Sequence, residues 1–402
     1  MSHVVIVGAG PAGAALAHVL AQRGIRVTLL ERQRHFDREF RGEVLMPSGI
    51  EALESMGLGA ALEASPRSFP KGLELYTNGV PVFQVSLEEG FFRGKPPVAT
   101  SQPALLEEIV LAASKSPDFR LMRGATVRDL LRASDRVVGV RIHSDAGTSE
   151  LHADLVIGAD GRGSLVRKRA GLVATEQAAP MDLVWFKVAA LPGLEGARVY
   201  IGGGHLLIAY SAWDGQLQVA WVIVKGTFGE LRSRGIEEWV RELRSHVSPD
   251  LADHLARHQG EIQRPFLLDV VSDRVTSWRA PGALVIGDAA HTMSPVGGQG
   301  LNVALRDAVV AANLLVPVLA GDPRSERIDQ ALACIEAERM PEITAIQRLQ
   351  ALPPKLLLSR ALWGEPVRRL LTRLLRTRFV QARALATAEL FLYGLGDVEL
   401  RV

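Results

Sequence analysis

The chain has 402 residues, 48% of them hydrophobic and 22% charged, which is typical of a globular protein of about two or three domains. A net charge of +2 and the lack of any apolar run approaching about 18 residues predict neither a nucleic-acid partner nor a transmembrane helix. Cys334 is the only cysteine, so no internal disulfide can form, which is typical of a reducing, cytoplasmic location.

The first predicted elements are a strand, a helix and a second strand. The apolar run 4–7 predicts a buried parallel strand, and helical spacing from 14 to 23 predicts a helix that ends before Gly24. Residues 26–30 predict the second strand, which is followed directly by Glu31. An acid at this position can accept hydrogen bonds from an adenosine ribose.

The turn between the first strand and the helix has the pattern G-x-G-x-x-G at Gly8, Gly10 and Gly13. Gly8 permits a tight turn, Gly10 lets the backbone approach a pyrophosphate, and Gly13 lets helix and strand pack closely. The helix N-terminus offers free N–H groups to the anion. The segment predicts a dinucleotide site, against the alternative of a glycine-rich turn without a ligand. The pattern alone does not separate FAD from NAD.

Two segments between the motifs predict a second domain. Residues 72–100 and 182–269 contain short stretches rich in β-branched and aromatic residues, separated by turn residues. We expect them to form one largely antiparallel sheet built from two inserted pieces. Residues 236–247 have helical spacing and predict a helix packed on that sheet.

A second motif follows a strand predicted at 155–157. There the sequence reads Gly158-Ala-Asp160-Gly161, and a helix is expected to start near Ser164. The alternative is an ordinary Asp-Gly turn, which is common in proteins.

The third motif follows a strand predicted at 283–286. Gly287 and Asp288 come at the strand end, where Asp288 can bond sugar-like hydroxyls. Gly297, Gly298 and Gly300 permit backbone approach to a flat ligand, and a helix is predicted at 301–315. Because ligands of open α/β sheets bind outside the carboxyl ends of strands, the three strand ends predict one extended cofactor.

The last segment, 342–402, is predicted to be helical. Between 348 and 383 it is rich in arginine and leucine, with Glu365 as its only acid. Such a segment can pack its leucines on the body of the protein, form a dimer face, or make peripheral contact with an anionic membrane surface.

Other catalytic patterns are missing from the sequence. The histidines are scattered, no H-E-x-x-H is present, and no G-x-S-x-G occurs with a plausible triad, so we predict no metal site and no nucleophilic serine. His291 lies inside the third motif, and we expect it to shape the loop rather than act as a base.

The three motifs in this order, from Gly8 with Glu31 through Gly158 to Gly287-Asp288, resemble those of class A FAD-dependent monooxygenases, which have the p-hydroxybenzoate hydroxylase fold. The resemblance covers residues 3–340. It implies an α/β fold, α+β overall, with a Rossmann-like FAD-binding domain (1–71, 101–181 and 270–341). It also implies an inserted, largely antiparallel substrate-binding sheet (72–100 and 182–269) and a C-terminal helical region (342–402).

The resemblance also implies a set of site residues. Arg41 would approach the cofactor pyrophosphate, unless it forms a surface salt bridge with Glu39 or Glu43. Gln102 stands where many relatives have arginine, so a charge is lost, and Asp160 would serve both FAD and the nicotinamide cofactor. The implied cofactor-binding residues are Gly8, Gly10, Pro11, Ala12, Gly13, Glu31, Arg32, Arg41, Gln102, Val127, Asp160, Gly161, Gly287, Asp288, Pro295, Gly298, Gly300, Leu301 and Asn302.

The chemistry implied by the resemblance is oxygen insertion. NADPH or NADH reduces FAD, O2 adds at the flavin C4a, and the hydroperoxide hydroxylates or epoxidises an aromatic or polycyclic, apolar small molecule, as in secondary metabolism. No amino-acid side chain is assigned as catalytic; the flavin environment is assigned to Pro295, Gly297 and Gly298. Candidate substrate contacts are Met46, Pro47, Trp185, Tyr210, Trp213 and Trp221, with ordinary sheet core as the alternative for each aromatic residue.

Three rival functions remain open. Flavin-dependent halogenases carry W-x-W-x-I-P, of which residues 219–224 keep only Trp221 and Ile223. Geranylgeranyl-type reductases share the three motifs and act on apolar isoprenoids. A flavin-bound protein without turnover is the rival from another class.

Overall fold

A computed structural model of the chain describes residues 2–36, 43–86, 92, 94–177, 181–202, 204–262, 265–357, 377 and 389–402. Its strands are β1 His3–Val7, β2 Arg26–Glu31, β3 Val44–Leu45, β4 Arg67–Ser68, β5 Gly72–Thr77, β6 Val80–Ser86, β7 Val98–Thr100, β8 Phe119–Arg123, β9 Thr126–Ala133, β10 Arg136–Ser144, β11 Gly147–His152, β12 Leu155–Gly158, β13 Ala174–Gln177, β14 Met181–Val188, β15 Ala197–Gly202, β16 His205–Ser211, β17 Leu217–Val224, β18 Phe266–Leu268, β19 Ser272–Val275, β20 Arg279–Ala280, β21 Ala283–Val285 and β22 His291–Thr292. Its α-helices are α1 Pro11–Gln22, α2 Pro47–Ser55, α3 Gly59–Ala64, α4 Gln102–Ala113, α5 Leu165–Arg169, α6 Phe228–Arg234, α7 Ile236–Arg244, α8 Pro249–His258, α9 Gln299–Ala320 and α10 Ser325–Leu357.

A six-stranded sheet, in the order β20-β21-β12-β1-β2-β8, forms the centre of the first domain. Every pairing in it is parallel except that of the edge strand β20. Its central strands are buried, as the uninterrupted apolar runs predict. Val7 lies opposite Gly158, and Gly158 lies opposite Val285, so all three motifs start at one edge of the sheet. The Rossmann-like fold class is confirmed.

A seven-stranded sheet, in the order β18-β14-β17-β16-β15-β5-β6, combines strands from the two inserted segments. Only the β15–β5 pairing is parallel. One face packs against helices α6 to α8. The other face packs against Val296 of the third motif and is called the loop-facing face below.

A third, small sheet, in the order β3-β7-β4, contains residues that the sequence predicts to lie in the inserted sheet. The sequence assigns residues 98–100 to the inserted sheet, but Ala99 pairs with Val44 and Ser68 instead. Three residues of strand-like composition can pair in either sheet, and their sequence does not show in which of the two sheets they pair.

Helices α9 and α10 pack against each other behind the third motif. The predicted boundary between 341 and 342 is wrong, because α10 runs through it without a break and buries Arg339 and Glu342 against α9. The helical stretch Val296–Ala320 is long and apolar enough by composition to cross a membrane, but 72% of its most apolar window is buried inside the fold.

The end of the chain packs on α9. The Arg306 guanidinium donates to the carbonyl of Gly396, and the Asn313 amide donates to that of Glu399. Within the described residues 389–402, the end of the chain therefore packs on the body of the protein. Most of the basic segment 348–383 lies outside the described residues.

Candidate functional site

Two glycines of the first motif are required by the protein's own packing. Gly8 has φ +100°, and a Cβ on it would lie 2.4 Å from the carbonyl oxygen of Ala159 in the second motif. A Cβ on Gly13 would lie 2.1 Å from the carbonyl oxygen of Gly8. Both contacts are with backbone, so no side chain can move aside to relieve them.

Gly10 is different, because protein packing does not explain it. The nearest atom that a Cβ there would meet is the Ala159 carbonyl oxygen, 4.0 Å away. Gly10 precedes α1, whose first residue is Pro11, and no side chain among the described residues caps this helix end. An open approach to uncapped N–H groups fits a pyrophosphate, so the residues present fit an FAD or NAD diphosphate.

Glu31 is buried at the end of β2 and holds two turns together. Its carboxylate accepts hydrogen bonds from the N–H of Ala9 at 3.0 Å and of Gln33 at 2.9 Å. Arg32 beside it is exposed, and Val127 is buried in β9. A carboxylate can accept about four hydrogen bonds, so this geometry is compatible with the predicted ribose contact.

Asp160 in the second motif caps helix α5. Its carboxylate accepts hydrogen bonds from the Ser164 hydroxyl at 2.5 Å and the Leu165 N–H at 2.7 Å. Gly161 follows with φ +80°. The Asp160 carboxylate therefore caps α5, a structural role that the sequence did not indicate, and a ligand would have to bind its remaining acceptor sites.

The third motif begins against the first. Gly287 has φ +59°, and a Cβ on it would lie 3.3 Å from Cβ of Ala12 in α1. The carboxylate of Asp288 remains one-third exposed at the strand end, and Arg162 of the second motif lies 3.5 Å from it. The three motifs therefore meet, as the extended-cofactor hypothesis requires.

The loop 295–298, called the floor loop below, leads into α9 and turns through two left-handed glycines. Gly297 and Gly298 have φ +75° and +62°, and the α9 helix starts directly after them. Pro295 begins the loop, and a Cβ on Gly300 would meet no atom of the described residues within 4 Å, so this position is open. Leu301 is buried in the first turn of α9.

Asn302 connects the floor loop to the segment that starts α2. Its Oδ1 accepts from the N–H of Met46 at 2.8 Å, and its Nδ2 donates to the carbonyl of Gly298 at 2.8 Å. Pro47 follows Met46 as the first residue of α2. The resemblance implies a cofactor contact for Asn302, but its fully buried amide is used by the protein itself.

Two further residues predicted to contact the cofactor, Arg41 and Gln102, lie near the Met46 segment in the sequence or in the fold. Arg41 lies outside the described residues. Gln102 is the first residue of α4, and only Ser101 separates it from β7, which pairs with β3 beside Met46. The half-buried Gln102 side chain makes no hydrogen bond to any other described residue, which leaves it available to a ligand.

Behind the third motif lies a buried charge network that the sequence did not predict. Asp307 accepts hydrogen bonds from the N–H of Gly287 at 3.0 Å, from Nε2 of His291 at 2.6 Å and from Nε of Arg339 at 2.8 Å. Burial alone would raise the pKa of Asp307, but His291 and Arg339 lower it to about 2. His291 thus shapes the loop, as expected. The available signal was the adjacent charges of Arg306 and Asp307 in the largely apolar helix α9.

The C-terminal segment also reaches the floor loop, which the sequence did not indicate. The ring of Phe391 lies 3.1 Å from the position of a Cβ on Gly297. The Gln299 side-chain amide donates to the carbonyls of Gly297 and Phe391, both at 2.8 Å. This segment therefore fixes the shape of the loop.

The predicted substrate aromatics divide between the two faces of the seven-stranded sheet. Trp185 and Tyr210 belong to the loop-facing face, and their rings meet edge to face with centroids 6.5 Å apart. Trp221 points the other way, where it is 1% exposed and packs against Trp239 of α7. Trp221 is therefore ordinary sheet core and not a wall of the predicted pocket.

The parallel sheet and the three motifs that meet at its strand ends define a protein of the Rossmann-like, dinucleotide-binding class. The family model described as "FAD binding domain" matches residues 1–348, and the chain belongs to this family.

Similar proteins are named as monooxygenases. The 6-methylpretetramide 4-monooxygenase of Streptomyces rimosus is 33% identical over 362 residues, covering 89% of this chain and 84% of that protein. The squalene monooxygenase of Rattus norvegicus is 27% identical over 78% of this chain and 54% of its own length. The crystal structure of pqsL, a probable FAD-dependent monooxygenase from Pseudomonas aeruginosa, has a TM-score of 0.78 and 25% identity, covering 89% and 97% of the two chains.

These findings establish the class of enzyme. The protein is an FAD-dependent monooxygenase that uses NAD(P)H and O2, and it acts on a small molecule. None of the three similar proteins is named as a halogenase or a reductase, and the alternative of a flavin-bound protein without turnover is set aside because the relatives are enzymes.

Proposed function

We propose that this monooxygenase hydroxylates a polycyclic aromatic small molecule of secondary metabolism, bound between the floor loop and the loop-facing face of the sheet. The observation that carries the proposal is the chemistry of that face. Most of it is apolar, from Met181 and Val222 to Trp185, and Trp185 forms an edge-to-face aromatic pair with Tyr210. A wide apolar surface with two aromatic rings suits a flat, apolar substrate.

The proposed cofactor placement follows the three strand ends. The N-terminus of α1, with Gly10, would hold the FAD pyrophosphate, and Glu31 would accept from the adenosine ribose. Asp288 would accept from the ribityl hydroxyls, because its carboxylate stays partly exposed at the third strand end. The floor loop would lie under the flavin ring.

When bound, FAD supplies the redox chemistry with NAD(P)H and O2. The chain's own contribution is position and environment. The N-terminus of α9 follows the floor loop and favours negative charge at that end of the site. The apolar sheet face excludes water from the region where oxygen is transferred.

The experiment that tests the function uses labelled dioxygen. Purified holoenzyme is incubated with NADPH or NADH and ¹⁸O₂, with 6-methylpretetramide and squalene as separate substrates, because these compounds name two of the relatives. We expect one labelled oxygen atom in the aromatic compound, detected by mass spectrometry. Label only in squalene would make the protein an epoxidase. Consumption of NAD(P)H with hydrogen peroxide as the only product, and no label in either 6-methylpretetramide or squalene, would contradict the proposal.

We place the enzyme in the cytoplasm, because its single cysteine, Cys334, is an exposed free thiol and its reductant is NAD(P)H. Contact of the basic segment 348–383 with a membrane surface stays a prediction. A liposome sedimentation assay with anionic vesicles tests it.

A further inference from the structure

One end of the loop-facing sheet face is polar, unlike the rest of that face. On neighbouring strands, Lys187 and Tyr210 both lie opposite Gln218, and the three side chains share this face. Gln218 is 2% exposed, and no described residue donates a hydrogen bond to its Oε1 atom. A buried amide oxygen without a partner costs about 1–3 kcal/mol, so its retention here calls for an explanation.

Glu43 reaches this polar end from the other domain. It directly precedes β3, three residues before the Met46 that Asn302 holds against the floor loop. Glu43 is 7% exposed, and its Oε2 atom has no hydrogen-bond partner among the described residues. The small sheet also meets the same end of the large sheet, where the Ser68 hydroxyl approaches the carbonyl of Ser211 at 3.5 Å.

The loop after β16 supplies a donor at the same place. Trp213 faces Glu43, but the pair does not reach hydrogen-bond geometry, and the buried indole N–H has no partner among the described residues. Lys187 lies 5.4 Å from the centre of the Trp213 ring and pairs with Asp214 at 2.6 Å. The lysine charge is therefore already balanced by Asp214, and Glu43 is not its main partner.

We propose that Glu43, Trp213 and Gln218 form the polar end of the substrate site and bind a hydroxyl group, a phenol or an enol, of the aromatic substrate. The inference rests on the proposed function for the identity of the site. The three unpaired atoms comprise one donor and two acceptors. A hydroxyl group donates to one acceptor and accepts from the indole, whereas an ether can only accept.

The charges around the site favour a neutral substrate over an anionic one. Burial raises the pKa of the Glu43 carboxyl, the positive charge of Lys187 opposes this shift, and the negative charge of Asp214 adds to it. Burial also raises the pKa of Tyr210, so its hydroxyl stays protonated and can serve as a further donor. A hydrogen bond accepted by a carboxylate is stronger than a neutral one, and it increases electron density on a phenol that is to be oxidised.

The test measures binding to the oxidised holoenzyme without NAD(P)H. The probes are 2-hydroxyanthraquinone and 2-methoxyanthraquinone, which differ by one methyl group, and the change in flavin absorbance gives each dissociation constant. We expect the wild type to bind the hydroxyl probe at least about tenfold more tightly. Glu43→Gln should reduce this preference, Glu43→Leu should abolish it, and Glu43→Asp should keep part of it. Glu63→Gln changes an exposed glutamate of α3 and should change nothing.

Two outcomes would overturn the inference. One is a wild type without preference for the hydroxyl probe. The other is a preference that survives in Glu43→Leu while FAD content and melting temperature equal those of the wild type. Trp213→Phe gives a second check, because loss of the indole N–H should weaken both probes by a similar factor. The proposed function is tested separately. If no aromatic compound gains labelled oxygen but the Glu43-dependent preference is observed, the binding inference is supported and the proposed hydroxylation is contradicted.

Discussion

The amide oxygen of Asn302 accepts a hydrogen bond from the backbone N–H of Met46 at 2.8 Å. This bond joins the third motif to a segment more than two hundred positions earlier in the chain, and the same side chain donates to the carbonyls of Gly298 and Val44. A Cβ on Gly49 would lie 2.2 Å from that amide oxygen, so the first turn of α2 is fitted closely around it. Asn302 thus sets the distance between the floor loop and α2.

The first prediction concerns this amide. Asn302→Ala leaves the half-buried Met46 N–H and Gly298 carbonyl without their partner, so the free energy of unfolding should fall by about 1 kcal/mol or more. The floor loop should also move relative to α2, and more NAD(P)H should be consumed to give hydrogen peroxide. Urea unfolding and a peroxide assay measure the two effects. The control is Gln22→Ala, which removes an exposed side-chain amide. Asn78 is also exposed but is unsuitable, because its backbone has a positive φ that alanine rarely adopts. Normal coupling in Asn302→Ala would contradict the positional role.

The second prediction separates the glycines of the first motif. Gly10→Ala meets no close protein atom and has an ordinary φ of −70°, so the apoprotein should fold normally. Its affinity for FAD should fall at least about tenfold, because the added methyl group occupies the path of the pyrophosphate. Gly13→Ala is the matched comparison, since its methyl group would collide with the Gly8 carbonyl and should lower stability itself.

Fluorescence titration of apoprotein with FAD and a thermal melt of the same sample check both glycine variants. Undiminished FAD affinity in Gly10→Ala would place the pyrophosphate elsewhere.

The sequence predicted the strand ends well because their requirements are local. A buried strand, a left-handed glycine and an acid at the strand end are specified within about ten residues, so Gly287 and Asp288 could be placed without knowledge of the fold. The partners of Asn302 and Asp160 could not be placed, because each of these side chains serves both a local turn and a possible ligand. Only the tertiary structure shows which hydrogen bonds their polar atoms already make.

The inserted sheet shows a second limit. Alternation along β17 shows that Trp221 and Val219 share one face, but it does not tell which face the helices cover. The helices α6 to α8 come later in the chain, and the face on which they pack determines which side chains of β17 are core. For the same reason Trp185 and Trp221 were equal candidates from the sequence and are unequal in the structure.

The third prediction uses these two tryptophans. Trp185→Leu removes an aromatic edge from the loop-facing face, so KM for the aromatic substrate should rise severalfold with a small change in stability. Trp221→Leu should leave KM nearly unchanged but lower the free energy of unfolding strongly. It removes a buried ring that packs on Trp239 and donates to His205 at 3.3 Å. Its cost should approach the range of about 3–5 kcal/mol known for truncating buried aromatics. Steady-state kinetics and urea unfolding compare the two variants. Equal effects of both on KM would remove Trp185 from the pocket wall.

The last prediction concerns acid stability and the buried network behind the third motif. Burial opposes ionisation of Glu342, but Arg339 and Arg306 lower its pKa to about 2, the same value as that of Asp307. Both carboxyls have ordinary pKa values of about 4 in the unfolded chain. Because their pKa values are lower in the folded state, they stabilise the fold fully above about pH 4.5, and this contribution is lost as the pH falls towards 2.

Asp307→Asn should therefore flatten the fall in unfolding free energy between about pH 4.5 and 2, and at pH 7 it should cost several kcal/mol, since Arg339 loses one of its two buried carboxylate partners. Asp322→Asn is the matched control, because its pair with Arg324 is exposed and such pairs contribute only about 0–1 kcal/mol. Urea unfolding at a series of pH values gives both curves. If Asp307→Asn and Asp322→Asn show the same pH dependence as the wild type, the network does not hold Gly287 and His291 in place, and the shape of the third motif has to come from the backbone of the floor loop and the Phe391 contact instead.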